Sequence, residues 1–272
     1  MSAPDTSATR TYALGACGLL GAIFVLFPLI ITFVNSFSSV AFNIFPPPGF
    51  SLRWYENLAA QTNFYAAAGR SLYLAALVTV VTLAIGTMAA YAVTRYKFRG
   101  RGLITGLIMA PVVIPNLAIG VAVFMFFVHI QMIGSYSNLV FVHSLVALPF
   151  VFVIISVGFA NFDWSLEEAA RDLGAGPFRT FFKVLMPQIK INFIVAGVYA
   201  FTTSFDQVET TLFLVRPGEN TLPVEMFLYL QSWQDPTMSA LAVVLILFAA
   251  VLLVGLSAVI QKRSQVMNIL TR

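Results

Sequence analysis

The sequence predicts an all-α, polytopic membrane protein: six transmembrane helices with one organised polar loop between the fourth and fifth. Three observations predict it. Apolar residues make up 59% of the 272 positions and charged residues 10%, with a mean hydropathy of +0.89, which is the composition of a membrane protein. The apolar residues gather into separate runs, each long enough to cross roughly 30 Å of hydrocarbon as a helix, which satisfies its own backbone in lipid. The basic residues flank these runs on alternate connections. A soluble domain of this length needs a more polar surface. The single cysteine, Cys17, lies inside an apolar run, so there is no disulfide framework. The net charge of +4 fits membrane topology better than nucleic-acid binding.

The first run covers 12–37. It is too long for a cleaved signal peptide, contains Pro28, and ends without a small-residue cleavage site. The second covers 71–94 and the third 103–129. Within the third, Pro111 and Pro115 are four apart and are expected on one helical face, where they free backbone carbonyls as in broken transporter helices. Asn116 stands beside them to re-satisfy the backbone. A packing kink and a gate both fit this pattern. The fourth run covers 138–160, the fifth 188–207 with Lys190, Asn192 and Asp206, and the sixth 238–260. Each of the six is expected to be one span. The permease domain is therefore expected over 12–260, with short tails at 1–11 and 261–272; the first ten residues read as disordered.

Orientation follows from charge. Arg10, Arg95, Lys97, Arg99, Arg101, Arg171, Arg179, Lys183, Lys190, Lys262, Arg263 and Arg272 fall on one side; only Arg53, Arg70 and Arg216 fall on the other. The positive-inside rule places both termini and the loop at about 161–187 in the cytoplasm. Trp54, Tyr55 and Trp233 fit interfacial anchors on the outer side, or contacts to an external protein.

The polar loop contains LEEAARDLGAGPFRTFFKVLMPQ at 166–188. Ser165 and Glu168 have the spacing of a capping box, and Glu167 and Glu168 suit the positive end of a helix dipole. Ala169 and Ala170 favour helix and allow close approach. Gly174 permits a chain reversal through positive φ, and Pro177 suits the first turn of a second helix. Helix, tight turn and second helix are expected. On physical grounds alone this is either an interfacial connector or a docking element.

The same stretch resembles the EAA loop of binding-protein-dependent ABC importer permeases. Glu168, Ala169, Ala170 and Gly174 stand in the register of that motif, and Val184 and Pro187 match its end, with Met186 where Leu is usual. The resemblance extends over most of the chain. It is closest to the second permease of spermidine/putrescine-type importers, through SLRWYENL at 51–58, residues 71–101, EAARDLGA at 168–175 and LPVEMFLYL at 222–230. It implies a type I permease of the bacterial inner membrane that forms half of a translocation pathway for a small solute. It also implies three kinds of partner: a second homologous permease, two cytoplasmic ATPase subunits carrying ATP and Mg, and an extracytoplasmic solute-binding protein. Glu168, Ala169, Ala170, Arg171, Asp172, Gly174 and Pro187 are the implied coupling residues. Glu168 and Asp172 share one face at i,i+4, and Arg171 offers a multi-donor fork to the ATPase or the neighbouring loop.

No GxxxxGK[ST] occurs, so the chain itself is not expected to hydrolyse ATP. No cofactor or metal is expected: His129 and His143 are isolated, and no nucleophile triad is evident. An independent secondary transporter is the rival class, though such proteins usually carry more spans and midplane charges. The candidate translocation residues are Asp206, Gln207 and Glu209, with Pro111 and Pro115. An acid near a span end is expensive unless it meets water, a partner or another helix. Asp206 matches the first of two acids usual in the polyamine-type permeases, and Gln207 stands at the second. Gly102 and Gly106 have the spacing of a GxxxG helix contact.

Overall fold

The computed structural model describes residues 6–251, and side chains from Leu14 onward. Among them the secondary structure is helical: α1 (Thr6–Asn35), α2 (Arg53–Ala60), α3 (Thr62–Arg95), α4 (Arg101–Met109), α5 (Asn116–His129), α6 (Tyr136–Ala160), α7 (Ser165–Asp172), α8 (Pro177–Thr180), α9 (Met186–Gln188), α10 (Lys190–Phe205), α11 (Thr211–Leu214) and α12 (Leu222–Ser232). A last helix, α13 (Thr237–Val251), is apolar and shorter. The 252–260 part of the sixth predicted span and the 261–272 tail lie outside the described residues. At the other end α1 begins at Thr6, so helix replaces half of the tail expected to be disordered.

Three helices are long and apolar enough to cross a membrane: Leu14–Asn35 within α1, Thr62–Arg95 and Tyr136–Ala160. The third and fifth predicted spans are not straight. Arg101–Val112 and Asn116–His129 meet at 106°, and Pro177–Gln188 and Lys190–Phe205 at 84°. The first break has a local cause. Pro111 and Pro115 each lack an N–H, and each disfavours helix in the preceding residue. Pro111 therefore sits in a 3-10 turn, Ala110–Val112, and Pro115 flanks the start of α5 with ψ 134°. The two prolines do not share a helical face. The carbonyls of Ala110 and Pro111 accept from the N–H groups of Val113 and Ile114. Asn116 is simply the first residue of α5. At the second bend, Phe181–Leu185 widens into a π turn just ahead of Pro187, a common way to accommodate a proline and redirect a helix.

The described residues form two compact units. One takes residues from 1–62 and 229–272. In it, α1 exposes most of its apolar side chains, Phe24 by 81%, as a helix facing lipid does. The connection after α1 is held by an isolated antiparallel bridge between Ser38 and Phe50. The Trp54 Nε1–H donates to the Ser38 carbonyl (2.6 Å), and Asn57 Nδ2 donates to Thr237 Oγ1 (2.8 Å).

The other unit, 63–228, is built on α3, α6 and α10. The α6–α10 pair runs antiparallel: Asn192 Nδ2 donates to the Ile154 carbonyl (3.1 Å) near one end, and His143 meets Ser204 near the other. Approach is closest at Gly158, where a Cβ would lie 2.9 Å from Asn192 Cγ. Any larger side chain there would push the helices apart. Gly102 and Gly106, by contrast, face open space among the described residues, so no GxxxG contact forms there. Two apolar cores result. One holds Ala90, Val151, Ile155, Phe159, Leu185 and Ile189; the other holds Leu74, Val78, Val123, Val142 and Leu214.

Candidate functional site

The polar loop folds as helix, turn, helix. The capping box does not form. Trp164 flanks the helix start without a side-chain cap; Asp163 Oδ1 accepts the Ser165 N–H instead (3.0 Å). Bonds from the Ser165 hydroxyl and N–H hold the Asp163 carboxyl below its ordinary range. Glu168, the expected reciprocal partner, is taken by Arg95 Nη2 at 3.0 Å. At the other end α7 closes in a Schellman turn. The Ala175 N–H donates to the Ala170 carbonyl (3.0 Å) and the Gly174 N–H to that of Arg171 (2.9 Å), the paired bonds that satisfy a helix C-terminus. Gly174 has φ +81°, as its place in the sequence predicts. Pro177 then opens α8 behind Gly176.

This geometry gives α7 two unlike faces. Inward, Glu167 is 1% exposed. Arg95 Nε lies 2.9 Å from its Oε2 and Arg171 Nη2 lies 2.7 Å from its Oε1, while the Tyr91 hydroxyl donates to Oε1 at 2.8 Å. Tyr91 and Arg95 are one turn apart on α3 and so share a face. Outward, Glu168, Ala169, Asp172 and Gly174 are exposed and Ala170 is half-buried. Leu173 is 89% exposed and Phe178, on α8, 80%.

Arg171, among the predicted coupling residues, has a partner within the chain. Its fork turns back onto Glu167 rather than standing free for a partner, and the Tyr96 hydroxyl and the Glu167 carboxylate both favour its charged form. Pro187 is exposed in α9 and acts at the bend into α10. Sequence reasoning assigned Glu167 only a dipole role. Its partners, Tyr91 and Arg95, lie more than seventy positions away, and no local spacing announces them.

The second candidate region lies at the opposite end of α10, where the helix stops at Phe205 and Asp206 flanks it. Phe201, Thr202, Thr203, Phe205 and Asp206 line an open depression of about 450 Å³. The Phe201 and Phe205 rings stack with centroids 6.1 Å apart. Asp206 and Glu209 are exposed, and no Ser or Thr hydroxyl binds the Asp206 carboxylate among the described residues. Gln207 is buried, and its Nε2 has no partner among those residues.

His143, which the sequence leaves isolated, proves to be the clamp of this segment. It is 1% exposed; its Nδ1 meets Ser204 Oγ at 2.9 Å and its Nε2 meets Thr211 Oγ1 at 2.8 Å. The Thr211 hydroxyl also donates to the Gln207 carbonyl (2.7 Å). From α5, Gly120 lets the backbone come close: a Cβ there would lie 2.9 Å from Thr210 Cα. Pro111 and Pro115 do not join this group; their break packs on α6. Among the described residues no three His, Cys, Asp or Glu side chains gather into a metal site.

Long apolar helices, two of the predicted spans bent, and a polar helix–turn–helix anchored by a buried carboxylate fit a membrane protein with one organised polar loop. The chain belongs to the family described as "Binding-protein-dependent transport system inner membrane component", matched over residues 82–266. It is 30% identical to the spermidine/putrescine transport system permease protein PotC of Escherichia coli K12, over 88% of this chain and 90% of PotC. It is 32% identical to the putrescine transport system permease protein PotI of the same strain, over 88% of this chain and 87% of PotI. A solved bacterial ABC transporter involved in the import of the acidic polysaccharide alginate shares the fold, with TM-score 0.70 at 17% identity, over 96% of this chain and 98% of that one. The protein is thus a permease component of an ABC importer and an inner-membrane protein; its relatives are transport permeases, not enzymes. The secondary-carrier reading is not favoured.

Proposed function

We propose that this chain forms half of the translocation pathway of a polyamine-type importer and couples it to ATP hydrolysis on a separate subunit. The observation that carries the coupling is the two-faced α7. One face is tied to the bundle through Glu167, and the other presents Glu168, Ala169, Ala170, Asp172 and Leu173 beside the turn at Gly174. A groove on a cytoplasmic ATPase fits such a bare, rigidly mounted helix. Two ATPase subunits, with their ATP and Mg, would engage this chain and a second homologous permease, and an extracytoplasmic binding protein would deliver the solute. Five crossings, counting each bent pair as one, and a sixth through α13, with both termini cytoplasmic, accord with the distribution of basic residues.

The solute class rests on the Asp206 depression and on the names of the relatives. A carboxylate beside two stacked aromatic rings suits an alkyl ammonium, which gains charge pairing from the one and cation–π attraction from the other. Glu209 adds a second exposed acid three residues on.

The coupling is tested with the detergent-solubilised permease pair. The Ala170→Trp variant should recover less ATPase in a pull-down and show weaker binding-protein-stimulated hydrolysis. Wild-type values for both would return the loop to an interfacial connector. Orientation is tested by impermeant thiol labelling on a Cys17-free background: Glu219→Cys should label from outside and Asp172→Cys should not. For the solute, vesicles supplied with the binding protein should accumulate labelled spermidine or putrescine in preference to a neutral solute of equal size. Equal accumulation of the two overturns the polyamine reading.

A further inference from the structure

Docking alone leaves the inward face of α7 unexplained. Three donors converge on the Glu167 carboxylate, two of them from α3 and one from α7 itself. The surround is aromatic and tightly built. Tyr91 meets the rings of Phe159, Trp164, Phe181 and Tyr96 at centroid distances of 5.7–6.2 Å, and the Arg95 guanidinium lies 5.1 Å from the Trp164 ring centre. Apolar contacts resist separation but permit sliding, whereas a buried ion pair with directional bonds fixes position.

The covalent routes out of α7 are poor levers. Towards α10 the chain passes Gly174, the π turn 181–185 and an 84° bend at Ile189. Towards α6 it passes the non-helical stretch 161–164. The side-chain route is different: Glu167 forms an ion pair with Arg95 in the last turn of α3, a continuous 34-residue helix, and accepts a hydrogen bond from Tyr91 one turn earlier. Motion of α7 therefore reaches one whole spanning helix through Glu167 and Arg95.

We propose that the Glu167–Arg95 pair, steadied by Tyr91, is the strut that transmits displacement of the coupling helix to α3. This rests on reading α7 as the element that docks the ATPase. Glu167 and Arg95 are positioning residues and touch neither solute nor nucleotide. Arg95 also bridges to the exposed Glu168, so a partner that takes up Glu168 leaves the guanidinium wholly to Glu167.

The test uses the complete transporter, permease pair, ATPase and binding protein, in vesicles. Three quantities are read: ATPase recovered with the permease, hydrolysis stimulated by the binding protein, and solute taken up per ATP. Glu167→Gln should leave the first two near wild type and lower the third roughly tenfold, a coupling effect of ordinary size. The double variant Arg95→Gln with Glu167→Gln removes both charges together, so no charge is left unpaired. It should assemble well and still transport poorly per ATP. Wild-type uptake per ATP in the double variant would overturn the strut and leave the pair a matter of charge balance alone. Loss of ATPase recovery in both variants would also overturn it, by placing Glu167 in docking. Ala170→Trp runs alongside: if that variant docks and hydrolyses normally, the coupling reading itself fails, whatever Glu167 does.

Discussion

The two ends of the antiparallel α6–α10 pair are held in different ways. They are separated by the length of α10, 16 residues, or roughly 24 Å at the usual helical rise. At the α7 end a buried carboxylate is bound by two guanidinium groups and a phenol. At the other end a buried imidazole sits between two hydroxyls. The first arrangement is ionic, and strong only while its set of partners is complete. The second is built from single hydrogen bonds between neutral groups, each of modest net worth. The contrast suits the two tasks. A lever must not slip against its mounting. If 206–210 borders the solute path as proposed, that segment must be held without being locked.

The largest expected effect breaks the ionic end. Arg95→Ala leaves Glu167 to Tyr91 and Arg171 and is expected to cost about 3 kcal/mol, the lower part of the range for breaking a buried pair, because Arg95 is itself partly exposed. Thermal inactivation of the solubilised permease pair measures it. His143→Leu, at the neutral end, should cost less, about 1–2 kcal/mol. Ser204 loses its imidazole partner, but Thr211 keeps its bond to the Gln207 carbonyl. If His143→Leu proves the more damaging of the two, the comparison is wrong.

A smaller effect sharpens the view of the lever. Gly174 has φ +81°, and a β-carbon added there would meet nothing within 4 Å. Any cost of Gly174→Ala is therefore a backbone cost, about 1 kcal/mol. Asn tolerates this conformation better, and Gly174→Asn should be milder. Comparing ATPase recovery by the two variants separates a misdirected turn from a blocked surface, since Asn is the larger residue. Weaker recovery with Asn than with Ala would point to the surface.

How much of this was legible depended on the range of the interaction. The predicted run 138–160 matches α6, Tyr136–Ala160, because hydropathy is a local property. The Gly174 turn and the Pro177 helix start were legible for the same reason: each is set within five or six residues. The second run, 71–94, missed the first turns of α3, which begins at Thr62, because that portion is too polar to read as lipid-facing. The capping box failed since two competitors lay outside its four-residue window, Asp163 before it and Arg95 far upstream. The proline pair was seen, but its consequence, a 106° bend, requires knowing what α6 offers to pack against. Glu167 and His143 were the real omissions. His143 is defined by partners more than sixty positions away, and so is Glu167 apart from its i,i+4 pair with Arg171; an i,i+4 pair does not distinguish a buried polar anchor from an exposed one.

The smallest effect on stability, and the most informative about function, concerns Asp206. Its side chain is exposed and lines an open depression, so Asp206→Asn should change stability by no more than about 0.5 kcal/mol. ATPase recovery should not change either, because α7 lies at the far end of α10. Transport is where the variant should differ. Asn keeps the shape and loses the charge, so the half-saturating concentration for a polyamine, presented with its binding protein, should rise while a neutral solute is unaffected. Asp206→Glu, which keeps the charge, should recover much of the loss. Should Asn and Glu impair uptake equally, shape rather than charge is what the position supplies. Should neither impair it, Asp206 is an exposed helix-end residue, and the acid that meets the solute must be sought elsewhere, with Glu209 the next to replace.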